Sequence, residues 1–80
     1  MHEINLIRIK QYIEDQCVQK DAPLSFADNL FDCGLDSMGV MRLTAFLESS
    51  FNVVIPEEKI TYDNLKDISS IENLIKTLIG

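Results

Sequence analysis

The 80-residue sequence is poor in the residues that most chemistry needs. It has one histidine, His2, two cysteines, Cys17 and Cys33, and no tryptophan. With a single histidine in the N-terminal segment, no hydroxyl has an evident general base, so Ser–His nucleophilic catalysis is not expected. One histidine and no CxxC pair also leave no zinc-type ligand set, and no metal is expected. Two cysteines without a secretory signal or a cysteine-dense pattern are expected as reduced thiols in a cytoplasmic protein. No apolar run approaches the ~20 residues that a membrane span needs. Basic residues are scarce: seven against thirteen acidic, a formal net charge of −6. That excludes a nucleic-acid partner, for want of a basic patch to release counterions, and disfavours anionic membrane surfaces. Partners attracted by such a charge would present basic protein surfaces, with more effect on encounter than on final affinity.

Glycine and proline are also few, three and two, while 46% of residues are hydrophobic. Apolar residues recur mostly at helical spacing, so an all-α four-helix bundle forming one domain over 1–80 is expected. A chain this short buries only about 60% of its unfolded surface, which leaves little bulk for a deep catalytic pocket. Leu6, Ile9, Ile13 and Cys17 form the stripe of a first helix over 3–18, widened by Ile7, with Glu3 favourable near its start. Lys20-Asp21-Ala22-Pro23 reads as a stop. The next segment, up to Asp36, is a long aperiodic loop whose Leu24, Phe26, Leu30, Phe31 and Leu35 are expected to pack over the core, with one possible helical turn at 25–29.

A second helix is expected from Ser37 to Ser50, on Val40, Leu43, Leu47 and Phe51, with Met41, Ala45 and Phe46 extending the stripe. Phe51 to Pro56 reads as an extended connection pinned by Phe51 and Ile55. A short third helical piece from Pro56 to about Leu65 is anchored by Ile60, Tyr62 and Leu65. The last helix is expected to be capped by Ser69 or Ser70, with Glu72 completing a box, and to bury Ile68, Ile71, Leu74, Ile75 and Leu78. Gly80 closes the chain.

The stretch Phe31-Asp32-Cys33-Gly34-Leu35-Asp36-Ser37-Met38 stands out. It puts Ser37 at, or just inside, the first turn of the second helix. There, unpaired N–H groups and the positive end of the macrodipole favour phosphate. Ser37 could equally be an ordinary capping residue. Gly34 is expected to supply a positive φ or a close approach ahead of it. Asp32 and Asp36 flank the serine as loop and capping residues, and Cys33 is read as a small buried hydrophobe.

The string Asp32-x-Gly34-x-Asp36-Ser37-Met38 resembles the D-x-G-x-D-S-L signature of the acyl and peptidyl carrier proteins. The likeness continues through Leu43, Ala45, Leu47, Glu48, Phe51, Ile55 and Pro56, with Leu30-Phe31 before the motif and Ile68 and Ile71 near the end. It implies a bundle with a long loop between helices 1 and 2 and a short helix 3. It also implies that a phosphopantetheinyl transferase, using coenzyme A, attaches 4′-phosphopantetheine to Ser37, with Asp36, Gly34 and Met38 as recognition context. Met38 stands where leucine is usual, a swap of similar volume.

Family members hold an acyl or aminoacyl group as a thioester on that arm and pass it between enzymes. In fatty-acid carriers the second helix is strongly acidic; here Gly39, Arg42, Ser49 and Ser50 stand where acids are common, and Glu48 is the one acid of that helix. The resemblance therefore points to a discrete, monomeric, non-enzymatic carrier of a nonribosomal peptide or related secondary-metabolite pathway. An acyl- or amino-acid-activating ligase would load it, and condensing or transferring enzymes would act downstream. A fatty-acid or polyketide-type acyl carrier and a cofactor-free helical interaction module are the alternatives. Gly39, weakly helix-forming by about 1 kcal/mol, would leave Met38, Val40 and Met41 accessible, so partner docking is expected there with Arg42 adding a polar contact.

Overall fold

Helix α1, Leu6–Gln16, begins where Asn5 accepts a hydrogen bond from the Arg8 N–H on its side-chain oxygen. The computed structural model describes residues 5–18 and 24–79. Expectations for His2, Glu3, Lys20 to Pro23 and Gly80 lie outside the described residues. The expected stripe is borne out at Ile9, Ile13 and Cys17, all buried, but Ile7 faces outward and is 64% exposed. A residue next to the stripe widens it only if a neighbouring element covers that flank, and none does among the described residues.

Helix α2, Ser37–Phe51, runs antiparallel to α1 and buries Leu43 and Leu47 completely. The antiparallel setting follows from the contacts between the two helices. Near the start of α2, Arg42 reaches the Gln16 carbonyl at the end of α1. Further on, the rings of Tyr12 and Phe46 stack at 4.1 Å, and Arg8 lies over Phe46. Helix α1 has no basic residue in its last turn. Arg42 supplies that positive charge from the neighbouring helix, where cations favour exposed carbonyls.

The third helical piece is split. A single 3₁₀ turn, Glu57–Lys59, is followed by α3, Tyr62–Leu65, whose cap Thr61 accepts from the Asn64 N–H. Thr61 competes with the helix for its own local hydrogen bonds, which explains the break. Tyr62 was expected to anchor this piece in the core but is 54% exposed; Leu65 fills that role.

Helix α4, Ile68–Ile79, buries Ile68, Ile71, Leu74 and Ile75 as its spacing predicts, with Leu78 half-buried. Its cap is neither serine. Asp67 accepts the Ser70 N–H at 2.7 Å and stands before both expected serines in the chain. Aspartate and serine are equally good caps, and the buried Ile68 at the first helical position decides between them. Among the described residues there is no strand and no helix long and apolar enough to cross a membrane.

Candidate functional site

The loop before α2 is held from three sides. Glu14 of α1 accepts the Leu24 N–H at 2.7 Å, and the Lys66 carbonyl accepts the Leu30 N–H at 2.7 Å. Asn29 accepts the N–H groups of Phe31 and Asp32 on one side-chain oxygen. The expected helical turn at 25–29 is instead a non-helical turn, with the Asp28 N–H bonded to the Ser25 carbonyl and the Ser25 N–H to the Asp28 carboxylate. Leu24, Leu30 and Leu35 are buried under the loop, as their apolar character predicts, while Phe26 is 41% exposed. Gly34 has φ 108°, a conformation that side chains strongly disfavour, which confirms why glycine stands there.

The start of α2 assigns separate duties to two adjacent residues. Asp36, not Ser37, is the cap: its Oδ1 accepts the Gly39 N–H at 2.8 Å, and its carbonyl accepts the Val40 N–H at 2.8 Å. Ser37 is the first helical residue; it is exposed, and its hydroxyl makes no hydrogen bond to any described residue. With Asp36 occupying the Gly39 N–H, the N–H groups of Ser37 and Met38 are the ones left to face an anion.

Gly39 is buried, contrary to its expected role of opening the surface. A Cβ there would stand 2.6 Å from the Cys17 carbonyl oxygen and 2.8 Å from Leu35 Cδ1. The glycine allows the end of α1 to press against the first turn of α2. Sequence reasoning missed this because the contact is made by a backbone atom far away in sequence.

Of the remaining expected site residues, Met38 and Met41 are 62% and 70% exposed, Val40 is half-buried, and Arg42 is exposed while bonded to Gln16. The structure therefore brings Gly34, Asp36, Ser37 and Met38 to one end of α2, and Met38, Met41 and Arg42 onto its outer surface. Cys33 is half-buried, whereas Cys17 is buried, and burial pushes its thiol from 9.0 up to about 11. Two surface depressions flank the serine. One, of about 390 Å³, is lined by Phe31, Leu35, Asp36, Ser37 and Val40; the other, of about 340 Å³, includes Cys17, Met38, Gly39 and Arg42.

Ser37 is thus exposed at a helix start beside an apolar depression, its hydroxyl bonded to no described residue, where the unpaired N–H groups of a first turn favour phosphate. A sequence model described as the phosphopantetheine attachment site matches residues 7–75. The chain belongs to this family. This is the acyl and peptidyl carrier protein family, whose cofactor is covalently attached 4′-phosphopantetheine. Aminoacyl carrier protein 2 of Bradyrhizobium diazoefficiens is 33% identical over 51 residues, which is 64% of this chain and 57% of that protein. The chain thus spans little more than half the length of that relative. The D-alanyl carrier protein of Streptococcus pyogenes is 31% identical over 65 residues, covering 80% of this chain and 82% of that one. Among solved structures, a Bradyrhizobium japonicum glycine:[carrier protein] ligase complexed with glycylated carrier protein contains a chain with TM-score 0.69 and 26% identity, over 86% of this chain and 90% of that one.

Proposed function

We propose that Ser37 is the attachment point of the arm and that this carrier holds an aminoacyl or acyl group as a thioester, without catalysing a reaction itself. The observation that carries the reading is the division of labour at the start of α2: Asp36 caps, and Ser37 is left outside with its hydroxyl free among the described residues. When bound, the arm supplies a terminal thiol on which the cargo rides, so the transfer chemistry belongs to the cofactor and the partner enzymes. This chain's own residues position the arm. Asp36 and the helix backbone hold the attachment point rigid, and the tether keeps the cargo at high effective concentration at each partner.

The relatives' names favour an amino acid as cargo, since two are aminoacyl and D-alanyl carriers and the solved neighbour is glycylated. An adenylating ligase is then the loading partner, a phosphopantetheinyl transferase the activating one, and a nonribosomal peptide or related pathway the setting. Docking through Met38, Val40 and Met41 with Arg42 agrees with the acid-free stretch from Ser37 to Leu47 on α2.

Intact-mass measurement after incubation with coenzyme A and a promiscuous phosphopantetheinyl transferase tests the attachment point. One phosphopantetheine should be added to the wild type and none to Ser37→Ala; no gain, or equal gain in both, sinks the proposal. For the docking face, Arg42→Glu should slow loading by the cognate ligase by roughly tenfold, the effect of losing a charge-assisted contact of about 1.4 kcal/mol. Because Arg42 also holds Gln16, the thermal midpoint must be followed alongside, and unchanged loading would remove Arg42 from the docking face.

A further inference from the structure

The chain has only two arginines, Arg8 and Arg42, and the fold brings both to one face between α1 and α2. The Arg8 guanidinium carbon lies 5.9 Å from the centre of the Phe46 ring, and Phe46 stacks on Tyr12 at 4.1 Å with the rings 8° from parallel. The Tyr12 hydroxyl donates to the Arg42 carbonyl at 3.3 Å, and Arg42 Nη1 donates to the Gln16 carbonyl at 3.2 Å. Arg8 and Gln16 stand about 12 Å apart along the axis of α1, so the two guanidinium groups frame the stacked rings from opposite ends. Both arginines are exposed, and neither forms an ion pair with a described carboxylate. Of the acids on these two helices, Glu14 is engaged with Lys10 and the Leu24 N–H, and Glu48 with the Ile55 N–H. The remaining one, Asp15, shares the depression beside Arg42 without pairing with it.

In a chain of net charge −6 this face is a local reversal of sign. Each guanidinium keeps most of its N–H donors free and is already held in place, Arg8 by a ring and Arg42 by a carbonyl. Little side-chain freedom is therefore left to lose when a carboxylate arrives. We propose that the α1–α2 face docks an acidic patch on the ligase that loads the arm, with one carboxylate at Arg8, another at Arg42, and apolar contact to the Tyr12 and Phe46 rings between them. The inference rests on the carrier reading, in which such a ligase loads the arm at Ser37, and it extends the docking face beyond Arg42 onto α1. Charge chooses the occupant. A basic partner surface, which the chain as a whole would attract, is repelled at this face, and a carboxylate-bearing surface is drawn to it. Ser37 precedes Arg42 by about 7.5 Å along α2, so a partner seated here has the attachment point at its edge.

The test is the kinetics of loading by the cognate adenylating ligase, measured on holo protein whose intact mass has already shown the pantetheine gain. At about 50 mM NaCl, where surface charges are weakly screened, Arg8→Glu should raise the KM for the carrier about five- to tenfold and leave kcat unchanged. Arg8→Lys keeps the charge and should recover most of that loss. Asp15→Asn removes the acid beside Arg42 and should lower KM about twofold. At about 500 mM NaCl both differences should shrink, and the wild-type KM should rise. A KM that Arg8→Glu leaves unmoved would overturn the proposal, and one that it lowers would show a basic partner instead. A fall in kcat with KM unchanged would assign Arg8 a structural role and equally overturn it. Should Arg8→Glu not fold, judged by its thermal midpoint, Asp15→Asn and the wild-type salt series decide: a KM that falls or stays level as salt rises sinks the acidic partner. A protein that gains no mass, or a holo protein that is not loaded, fails the carrier reading itself, so the two failures cannot be confused.

Discussion

The two ends of α2 are both capped, yet they close differently. At the C-terminal end, Asn52 takes the left-handed conformation, φ 53° and ψ 49°, and the N–H groups of Asn52 and Val53 both reach the Glu48 carbonyl. The Glu48 side chain then accepts the N–H of buried Ile55 at 2.7 Å, which ties the outgoing chain back onto the helix. One residue thus seals that end with both its main chain and its side chain. At the N-terminal end, Asp36 satisfies the Gly39 N–H, and the exposed Ser37 and Met38 are left unsealed. Equal capping can therefore serve opposite purposes: closing a connection at one end, presenting a side chain at the other.

The sharpest way to break this contrast is at Gly39. An alanine there gains about 1 kcal/mol of helix propensity. However, its Cβ meets the Cys17 carbonyl at 2.6 Å, and a backbone atom yields less readily than a flexible side chain. Overpacking should win: Gly39→Ala is expected to lose about 1–3 kcal/mol net, read from urea unfolding. A raised midpoint would show that the end of α1 moves aside freely. Next in size come the caps. Asp36→Ala and Asn52→Ala should each cost about 1 kcal/mol, but only Asp36→Ala should also slow pantetheinylation. Equal slowing in both would erase the functional difference between the two ends.

The smallest effect concerns Cys17, which lies just beyond the last turn of α1, against the N-terminal end of α2. Burial raises its thiol from 9.0 to about 11, with Arg42 lowering and Asp36 raising it. A raised value means that the folded protein favours the neutral thiol. The stability it contributes is present below pH 9 and fades as pH climbs towards 11. The urea midpoint should therefore fall more steeply over that range in wild type than in Cys17→Ala. Iodoacetamide at pH 8 should alkylate half-buried Cys33 well before Cys17. Matching pH profiles would show that the buried thiol is not coupled to folding.

Much of the fold was legible because helical spacing is a local property. The stripes Ile9-Ile13-Cys17, Leu43-Leu47 and Ile68-Ile71-Leu74-Ile75 all proved to be buried. The motif around Ser37 was legible for a different reason, since Gly34, Asp36 and Ser37 act through their own backbone positions. What misled were flanks and boundaries. Ile7 and Tyr62 are apolar enough to be assigned to the core, but exposure depends on whether another element arrives to cover them. Ser69 and Asp67 compete as caps on nearly equal terms, and the depth of Ile68 settles the matter.

By itself, then, the amino-acid order determined four helical pieces, the faces they bury, and a serine placed where a helix begins. Each follows from periodicity, from glycine's tolerance of positive φ, or from the unpaired N–H groups of a first turn. Tertiary structure alone decided that Gly39 exists to admit the Cys17 carbonyl. It also decided that Arg42 closes the end of α1 and that Tyr62 packs against Phe31. Each of these pairs residues brought together by packing, with partners more than 20 residues apart. No local rule of spacing or propensity encodes where two such segments will meet.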